Sequence, residues 1–374
     1  MSGNKIALYI HLPWCIKRCP YCDFNAHQLK SDLPEREYIF ALEQDIIESL
    51  SAFDAKYEII SIFFGGGTPS LFSGASIYEI LSLVAKYFTI NKRCEITLEA
   101  NPGTLDNIKL HDFRAAGINR LSLGVQSFND ILLKNLGRIH TSKHAIKAID
   151  IAKKIDFNSI NIDLMHGLPG QTKADAMSDL QFAISANIPH ISWYELTIEP
   201  NTYFAKYPPK RVDSDTRAEW MQAGRSLLNN YNHYEISAFA KKNYECIHNS
   251  WIWEFGDYLG IGAGAHSKIT TTEGIKRSIK HKHPNTYLTS NSKFAESIIV
   301  NEQDIAFEYF LNRLRLLKPI SWQEIQQHTI INTSSPQIQI AVQHKWLETT
   351  KDYCQLTPKG RWFLDDVVSL FLAD

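Results

Sequence analysis

Cys15, Cys19 and Cys22 place three thiols within eight residues, in the pattern Cys-x3-Cys-x2-Cys. Thiolates are the usual ligands of iron–sulfur clusters. A closed structural zinc site would need a fourth ligand near the loop, and His11 and His27 are at hand, so zinc is the competing reading. A [4Fe-4S] cube held by three cysteines keeps one iron open. An open coordination position is what a metal needs to take up a second molecule. The other cysteines, Cys94, Cys246 and Cys354, are scattered. Cys94 lies in the apolar run Cys94-Glu95-Ile96-Thr97-Leu98 and reads as a small buried hydrophobe. A clustered trio in a chain with no sign of a leader reads as metal-binding rather than as a disulfide framework.

Elements that could position such a loop can be read from the hydrophobic pattern. Runs rich in β-branched and aromatic residues recur at Ile6–Ile10, Ile59–Phe64, Glu95–Leu98, Arg120–Val125, Ser159–Leu164 and Ile191–Leu196. Helical spacing is expected near 36–51, 75–88, 104–115, 141–154 and 173–186. Several runs, Ile59-Ile60-Ser61-Ile62-Phe63-Phe64 among them, are nearly all apolar, which suits parallel strands buried on both faces. Alternating strand and helix predicts an α/β fold with a parallel sheet or barrel. Polar or glycine-rich residues come directly after all six runs: His11 and the cysteines, Gly65-Gly66-Gly67-Thr68-Pro69, Glu99-Ala100-Asn101, Gln126-Ser127-Phe128, Asp163 with His166-Gly167, and Glu195 to Glu199. In such folds the C-terminal strand ends carry the active site. Singly, Glu99 could cap a helix, Arg138 could be a solvated charge and Gln126 could satisfy a loop. Together, at successive strand ends, they point to a site.

The pattern predicts three regions: a barrel over 1–200, an irregular extension over 201–300, and a small helical domain with a hairpin over 301–374. The extension holds Cys246-Ile247-His248-Asn249-Ser250-Trp251-Ile252-Trp253 and the glycine-rich Tyr258-Leu259-Gly260-Ile261-Gly262-Ala263-Gly264-Ala265-His266. The latter lacks the G-x-G-x-x-G spacing and βαβ setting of a dinucleotide site; backbone passing close to a cofactor is the better reading.

Composition adds exclusions. Hydrophobic residues are 44% and charged residues 21%, an ordinary globular balance, and the formal net charge is −1. No broad basic face is expected for nucleic acid, and a DNA-binding reading of the last region lacks a dense Lys/Arg helix. The first residues show no signal-peptide pattern, and no apolar run reaches the roughly 18 residues of a membrane helix, so a cytoplasmic protein is expected.

The cysteine motif, with Tyr21 before its last cysteine, resembles the radical S-adenosylmethionine superfamily. The segments Tyr9–Cys15, Cys19–Phe24, Phe64–Ser70, Leu123–Phe128 and Asp163–Thr172 are similar to the oxygen-independent coproporphyrinogen oxidase group, and the chain most resembles its heme-chaperone branch. The resemblance spans nearly the whole chain. It implies a partial (βα)6 barrel with a small, mostly helical C-terminal domain. It implies a [4Fe-4S] cluster on Cys15, Cys19 and Cys22, whose open iron takes S-adenosylmethionine. By the same resemblance Gly66, Gly67 and Thr68 line the methionine end of that cofactor, Tyr9 and Tyr21 flank cluster and cofactor, and Glu99, Gln126, Arg138 and Asp163 contact the cofactor. No residue is assigned a catalytic role of its own.

Two functions compete. An oxidase would decarboxylate coproporphyrinogen III; a chaperone would bind heme as cargo and pass it on. The oxidases carry a further cysteine two residues after the third, where this chain has Phe24. They also carry an N-terminal extension, whereas Cys15 here is preceded by 14 residues. Cys246-x-His248-Asn249 is similar to the chaperones' His-Asn-x-x-Tyr-Trp motif, with Ile252 in the tyrosine's place and Trp253 retained. The chaperone is therefore expected, with Cys246, His248 and Trp253 as candidate heme contacts. The resemblance further implies an acceptor protein at a membrane, an electron donor for the cluster and, as one option, a homodimer.

Overall fold

The computed structural model describes residues 4–52 and 57–373. β1 (Asn4–Leu12) leads into two very short strands, β2 (Trp14–Cys15) and β3 (His27–Gln28), which pair in parallel at the root of the cysteine loop. The chain then alternates α1 (Glu35–Ser51), β4 (Tyr57–Gly66), α2 (Gly74–Tyr87), β5 (Thr89–Ala100), α3 (Asn107–Ala116) and β6 (Arg120–Gln126). After the short α4 (Asp130–Asn135) come α5 (Ser142–Lys154), β7 (Ser159–His166), α6 (Lys173–Ser185) and β8 (His190–Glu195). β1, β4, β5, β6, β7 and β8 lie side by side, all parallel. This is the partial barrel the pattern predicts.

Capping explains where the helices start. Thr141 and Thr172 each form a capping box, with His144 and Asp175 reaching back to the cap residue. Expected to begin at 104, α3 begins at Asn107 because Pro102–Thr104 forms a tight 3-10 turn and Asp106 caps the helix by accepting from Lys109 N. Ile77, Ile80, Leu81 and Val84 of α2 are buried in the main core, each worth about 1.5–3 kcal/mol of transfer free energy.

Burial on both faces of the sheet extends through β6 and β7, but from β5 onward one of the two faces is polar. Leu98, Leu121, Leu123, Ile160, Ile162, Leu164 and Ile191 join the main apolar core. The intervening residues Glu95, Thr97, Glu99, Arg120, Ser122, Asn161, Asp163, His190, Ser192 and Tyr194 point the other way, because successive strand side chains alternate faces. The inner face of the barrel is therefore polar.

Residues 201–300 are more regular than expected. After α7 (Tyr203–Lys206) and α8 (Ser214–Leu227), β9 (Asn232–Glu235) and β10 (Ala238–Ala240) extend the sheet antiparallel beyond β8. α9 (Ile247–Trp253) comes next, then β11 (Tyr258–Ile261), parallel to β1 on its free edge. β12 (His266–Thr271), β13 (Gly274–Lys280) and, after α10 (Pro284–Thr289), β14 (Phe294–Ile299) continue antiparallel, completing a 12-stranded sheet. The run between Gly260 and His266 hid these strands because its glycines broke the alternation.

The C-terminal region has its own apolar cluster, built on Tyr309, Phe310, Ile325, Ile338 and Val367. α11 (Glu302–Arg313), α12 (Trp322–His328), α13 (Pro336–Gln343) and α14 (Leu364–Ser369) surround a three-stranded antiparallel sheet of β15 (Ile320–Ser321), β17 (Tyr353–Leu356) and β16 (Leu347–Thr349). The hairpin is β16–β17, to which β15 adds. No helix among the described residues is long and apolar enough to cross a membrane.

Candidate functional site

A cavity of about 450 Å³ opens at the C-terminal ends of the strands. Cys15, Cys19 and Cys22 line it together with Tyr21, Gly66, Gly67, Thr68, Glu99, Gln126, Arg138 and Asp163. Residues from five separate strand ends and the cysteine loop thus meet at one place. Tyr9 does not join them. Its hydroxyl bonds His11 Nδ1 at 3.0 Å and its ring stacks against Phe63, behind the lining.

The glycine-rich turn after β4 is stitched to the cysteine loop. Gly67 N donates to Leu12 O at 2.9 Å, and Thr68 N donates to Trp14 O at 2.7 Å. A Cβ on Gly67 would lie 2.4 Å from Trp14 O, and one on Gly66, whose φ is +112°, would meet the His11 ring at 2.7 Å. Both glycines are required by protein backbone and ring packing, which sets where the loop sits.

Asn25 closes the other side of that loop. Its Nδ2 donates to Ala263 O at 2.9 Å and to Lys282 O at 2.8 Å. Its main-chain oxygen accepts from His11 Nε2 at 2.9 Å. With Nδ1 turned to Tyr9, both His11 nitrogens are engaged, and burial pushes its pKa down to about 4. His11 is thus a neutral tie between β1 and the loop. Gly264, at φ +78°, lies where any Cβ would strike the Asn25 amide at 2.3 Å. The glycine-rich run accordingly lets backbone approach the cysteine loop.

No set of three His, Cys, Asp or Glu side chains among the described residues is arranged to hold a single ion. A cubane asks something different, since its thiolates bind separate irons at separate corners. Burial and the neighbouring thiols push Cys15 up to about 11, and burial also raises Cys22, so these two would bind metal with release of their protons. Arg138 supplies a nearby cation. Its Nη2 donates to Gly124 O at 2.8 Å and its Nη1 lies 3.7 Å from Cys19 Sγ, while its buried Nε has no partner among the described residues. A positive group beside a sulfur site and an unpaired buried donor in the same side chain fit an electron-rich cluster.

Deeper in the cavity stand two carboxyls. Burial, with Asp163 as neighbour, raises Glu99 to about 8. Burial also raises Asp163, although Asn161 Nδ2 at 2.9 Å and Ser122 Oγ at 3.3 Å donate to it. Such a pair is suited to a cation or to hydroxyl donors. Gln126 ends β6 at φ +68°, a left-handed conformation that costs a non-glycine residue about 1–3 kcal/mol. The β6–β7 register also slips between Leu123 and Gln126. That turn aims the Gln126 amide inward, where Oε1 accepts from Tyr194 Oη at 3.0 Å. Backbone strain at a cavity wall is a mark of a functional position.

Cys246 and His248 lie elsewhere. Both are buried, at the start of α9, which packs under β4 and β1 at the opposite end of the barrel. Glu95 Oε1 accepts from His248 N at 3.1 Å and faces Cys246 Sγ at 3.5 Å. His248 Nδ1 and Ser61 Oγ are 3.0 Å apart, and the ring packs on Phe63. Burial pushes the His248 pKa down to about 3 and the Cys246 thiol up to about 12. Trp253 is half-buried under the Arg315 guanidinium, 4.5 Å from its ring centre. The structure does not bring these three residues to the cavity.

Sequence reading missed the residues between the two ends. His190 Nδ1 meets Asn161 Oδ1 at 2.7 Å, and His190 Nε2 meets Tyr234 Oη at 2.8 Å. Tyr234 Oη in turn accepts from Cys246 N at 3.2 Å, so polar contacts run from Asp163 to α9. Only Asn161 could have been found, from the period-two alternation of polar residues along β7; His190 and Tyr234 reach it through tertiary contacts.

Residues 9–183 match the Radical SAM superfamily. The chain is 46% identical to the Heme chaperone HemW of Haemophilus influenzae, over 99% of this chain and 98% of that one. It is 43% identical to the Heme chaperone HemW of Escherichia coli, with the same coverage. Coproporphyrinogen III oxidase (HemN) of Escherichia coli, described as a radical SAM enzyme, superposes with a TM-score of 0.85 at 22% identity, over 99% of this chain and 91% of that one. The chain therefore belongs to the radical SAM superfamily and, within it, to the HemW family.

Proposed function

We propose that this chain is a heme chaperone that carries a [4Fe-4S] cluster on Cys15, Cys19 and Cys22, binds S-adenosylmethionine beside it, and hands heme to an acceptor protein. The observation that supports it most is the meeting of three thiols with the Glu99, Gln126 and Asp163 strand ends in one cavity. In this reading Arg138 offsets the charge of the cluster next to Cys19. Glu99 and Asp163 take the cationic and hydroxyl groups of the nucleoside, and Gln126 orients it from its strained turn. Gly66, Gly67 and Thr68 fix the distance between loop and cavity. Tyr21 closes the wall against Leu132, Leu136 and Leu168. When bound, cluster and S-adenosylmethionine supply one-electron chemistry at the sulfonium.

The chaperone names of the relatives favour heme as cargo over oxidative decarboxylation. Phe24, in place of a further cysteine, supports the same choice. An electron donor and a membrane-associated acceptor complete the proposal.

Anaerobic reconstitution tests it. About four irons and four sulfides per chain are expected, as one cubane requires. S-adenosylmethionine should change the electron paramagnetic resonance spectrum of the reduced cluster, and ferric heme should bind. Protoporphyrinogen formed from coproporphyrinogen III with reductant and cofactor would establish the oxidase instead.

A further inference from the structure

A carrier of heme needs an iron ligand that heme can reach. The His248 imidazole is 2% exposed, and its Nδ1 is engaged by Ser61. The cavity, at about 450 Å³, is of a size that encloses one drug-sized ligand, and the cluster thiols line it together with Arg18 and Phe24 of the same loop. Heme beside a bound nucleoside cofactor would have to sit outside it.

Of the fourteen histidines, His27 and His283 meet beside the cysteine loop, and His266 and His281 belong to the β12–β13 segment that precedes His283. His266 opens β12, His281 comes directly after β13, His283 lies two residues further on, and His27 ends the loop. His27 and His283 come from segments 256 residues apart, yet their rings touch edge to face with centroids 5.3 Å apart. Asn25 fixes the arrangement from both sides. Its Oδ1 accepts from His27 Nε2 at 3.1 Å, and its Nδ2 holds the carbonyl of Lys282. His283 is exposed, and no hydrogen bond to its ring is formed among the described residues. Lys282 and Arg18 are exposed; burial first, then His283 and Arg18, disfavour the charged form of His27, and Arg18 Nη2 donates to Cys22 O at 3.1 Å. Phe24, 60% exposed, stands on the same loop.

Heme asks for this set: a neutral imidazole for iron, an apolar surface for the macrocycle and cations for two propionates. We propose that His283 is the axial ligand of cargo heme at the seam between the cysteine loop and β12–β13, with His27 backing its ring, Lys282 and Arg18 meeting the propionates and Phe24 meeting the macrocycle. This rests on the reading of heme as cargo. An exposed single ligand suits release. The acceptor's ligand forms its bond to iron as the bond to the His283 nitrogen breaks; iron keeps its oxidation state and no proton need move.

The experiment is titration of the reconstituted full-length chain with ferric heme, read by the Soret band and by affinity. His283→Ala is expected to weaken binding about tenfold or more and to lose the imidazole-type band, with circular dichroism unchanged because the side chain is exposed. His283→Met should restore binding with a displaced band. Lys282→Glu combined with Arg18→Glu should weaken binding and flatten its salt dependence. His248→Ala, in whatever fraction folds, should keep the wild-type band. A His283→Ala protein with wild-type band and affinity overturns the proposal and leaves the chaperone reading intact. A wild-type chain that takes up no heme overturns the chaperone reading itself.

Discussion

Glu95 and Glu99 stand four residues apart on the same face of β5, and they meet opposite surroundings. Around Glu95 the barrel is closed by α9: the carboxylate accepts from His248 N, faces the Cys246 thiol, and lies 3.7 Å from the Arg120 guanidinium. Around Glu99 the barrel is open, and burial beside Asp163 raises the carboxyl pKa to about 8. The Arg138 Nε donor at the same end lacks a partner among the described residues. Each end thus holds a buried guanidinium Nε without a hydrogen bond among the described residues, Arg120 at the floor and Arg138 at the mouth, but Glu95 is held by the α9 backbone and the Arg120 charge, whereas Glu99 lines the cavity beside Asp163. In βα folds stability gathers at the strand N-termini and function at the C-termini, and this chain keeps to that division.

Four substitutions probe the contrast between floor and mouth. The largest effect belongs to the mouth: Cys15→Ala should abolish the visible absorption of the reconstituted cluster, whereas Cys94→Ala, distant from the loop, should leave it intact. Retention of absorption by the Cys15 variant would remove this cysteine from the ligand set. Next comes the floor. Glu95→Ala strands a buried Arg120 and two donors, so urea denaturation should show a loss of about 3 kcal/mol with cluster content per folded chain unchanged.

Glu99→Gln should act in the other direction. The folded carboxyl titrates at about 8, while the unfolded one titrates near its ordinary 4.5. Between those values the unfolded chain loses its proton first, so wild-type stability falls as pH rises through this window. Without bound cofactor the glutamine variant should gain on wild type across that window, by roughly 1–2 kcal/mol given the water that screens an open cavity. Parallel stability curves for the two proteins would show that Glu99 does not titrate in this window. The smallest effect is expected from Tyr234→Phe, which removes a hydroxyl shared by His190 and the Cys246 amide, at about 1 kcal/mol.

Much of the mouth was legible in the sequence, because its residues sit directly after strands with strong apolar signatures. The cysteine spacing, Gly66–Thr68, Glu99, Gln126 and Asp163 all come after such runs, and a strand end is among the easier positions to place. Arg138 lies just past the six-residue α4, which is too short to leave a periodic signal, and resemblance alone pointed to it. The floor was not legible for a physical reason. Arg120, Asn161, His190 and Tyr234 are joined by tertiary contacts between segments with no local pattern in common, and α9 is only seven residues long. His248 therefore read as a free ligand, when its surroundings come from residues far away in the chain. Tyr9, expected to flank cluster and cofactor, lies outside the cavity lining with its hydroxyl on His11.

The hold of Asn25 on the carbonyl of Lys282 spans 257 residues, and β1 finds its second neighbour only at Tyr258–Ile261. Contacts of such long sequence separation form late, after the entropy of a large loop has been given up. The far side of the cysteine loop is fastened by Ala263 and Lys282, which follow it by more than two hundred residues. If these cysteines hold a cluster, the strands β11–β14 that fasten their loop are the part of the sheet on which its retention should depend. A chain truncated before Tyr258 should take up iron and lose it again quickly, because the latch is encoded at the other end of the sheet.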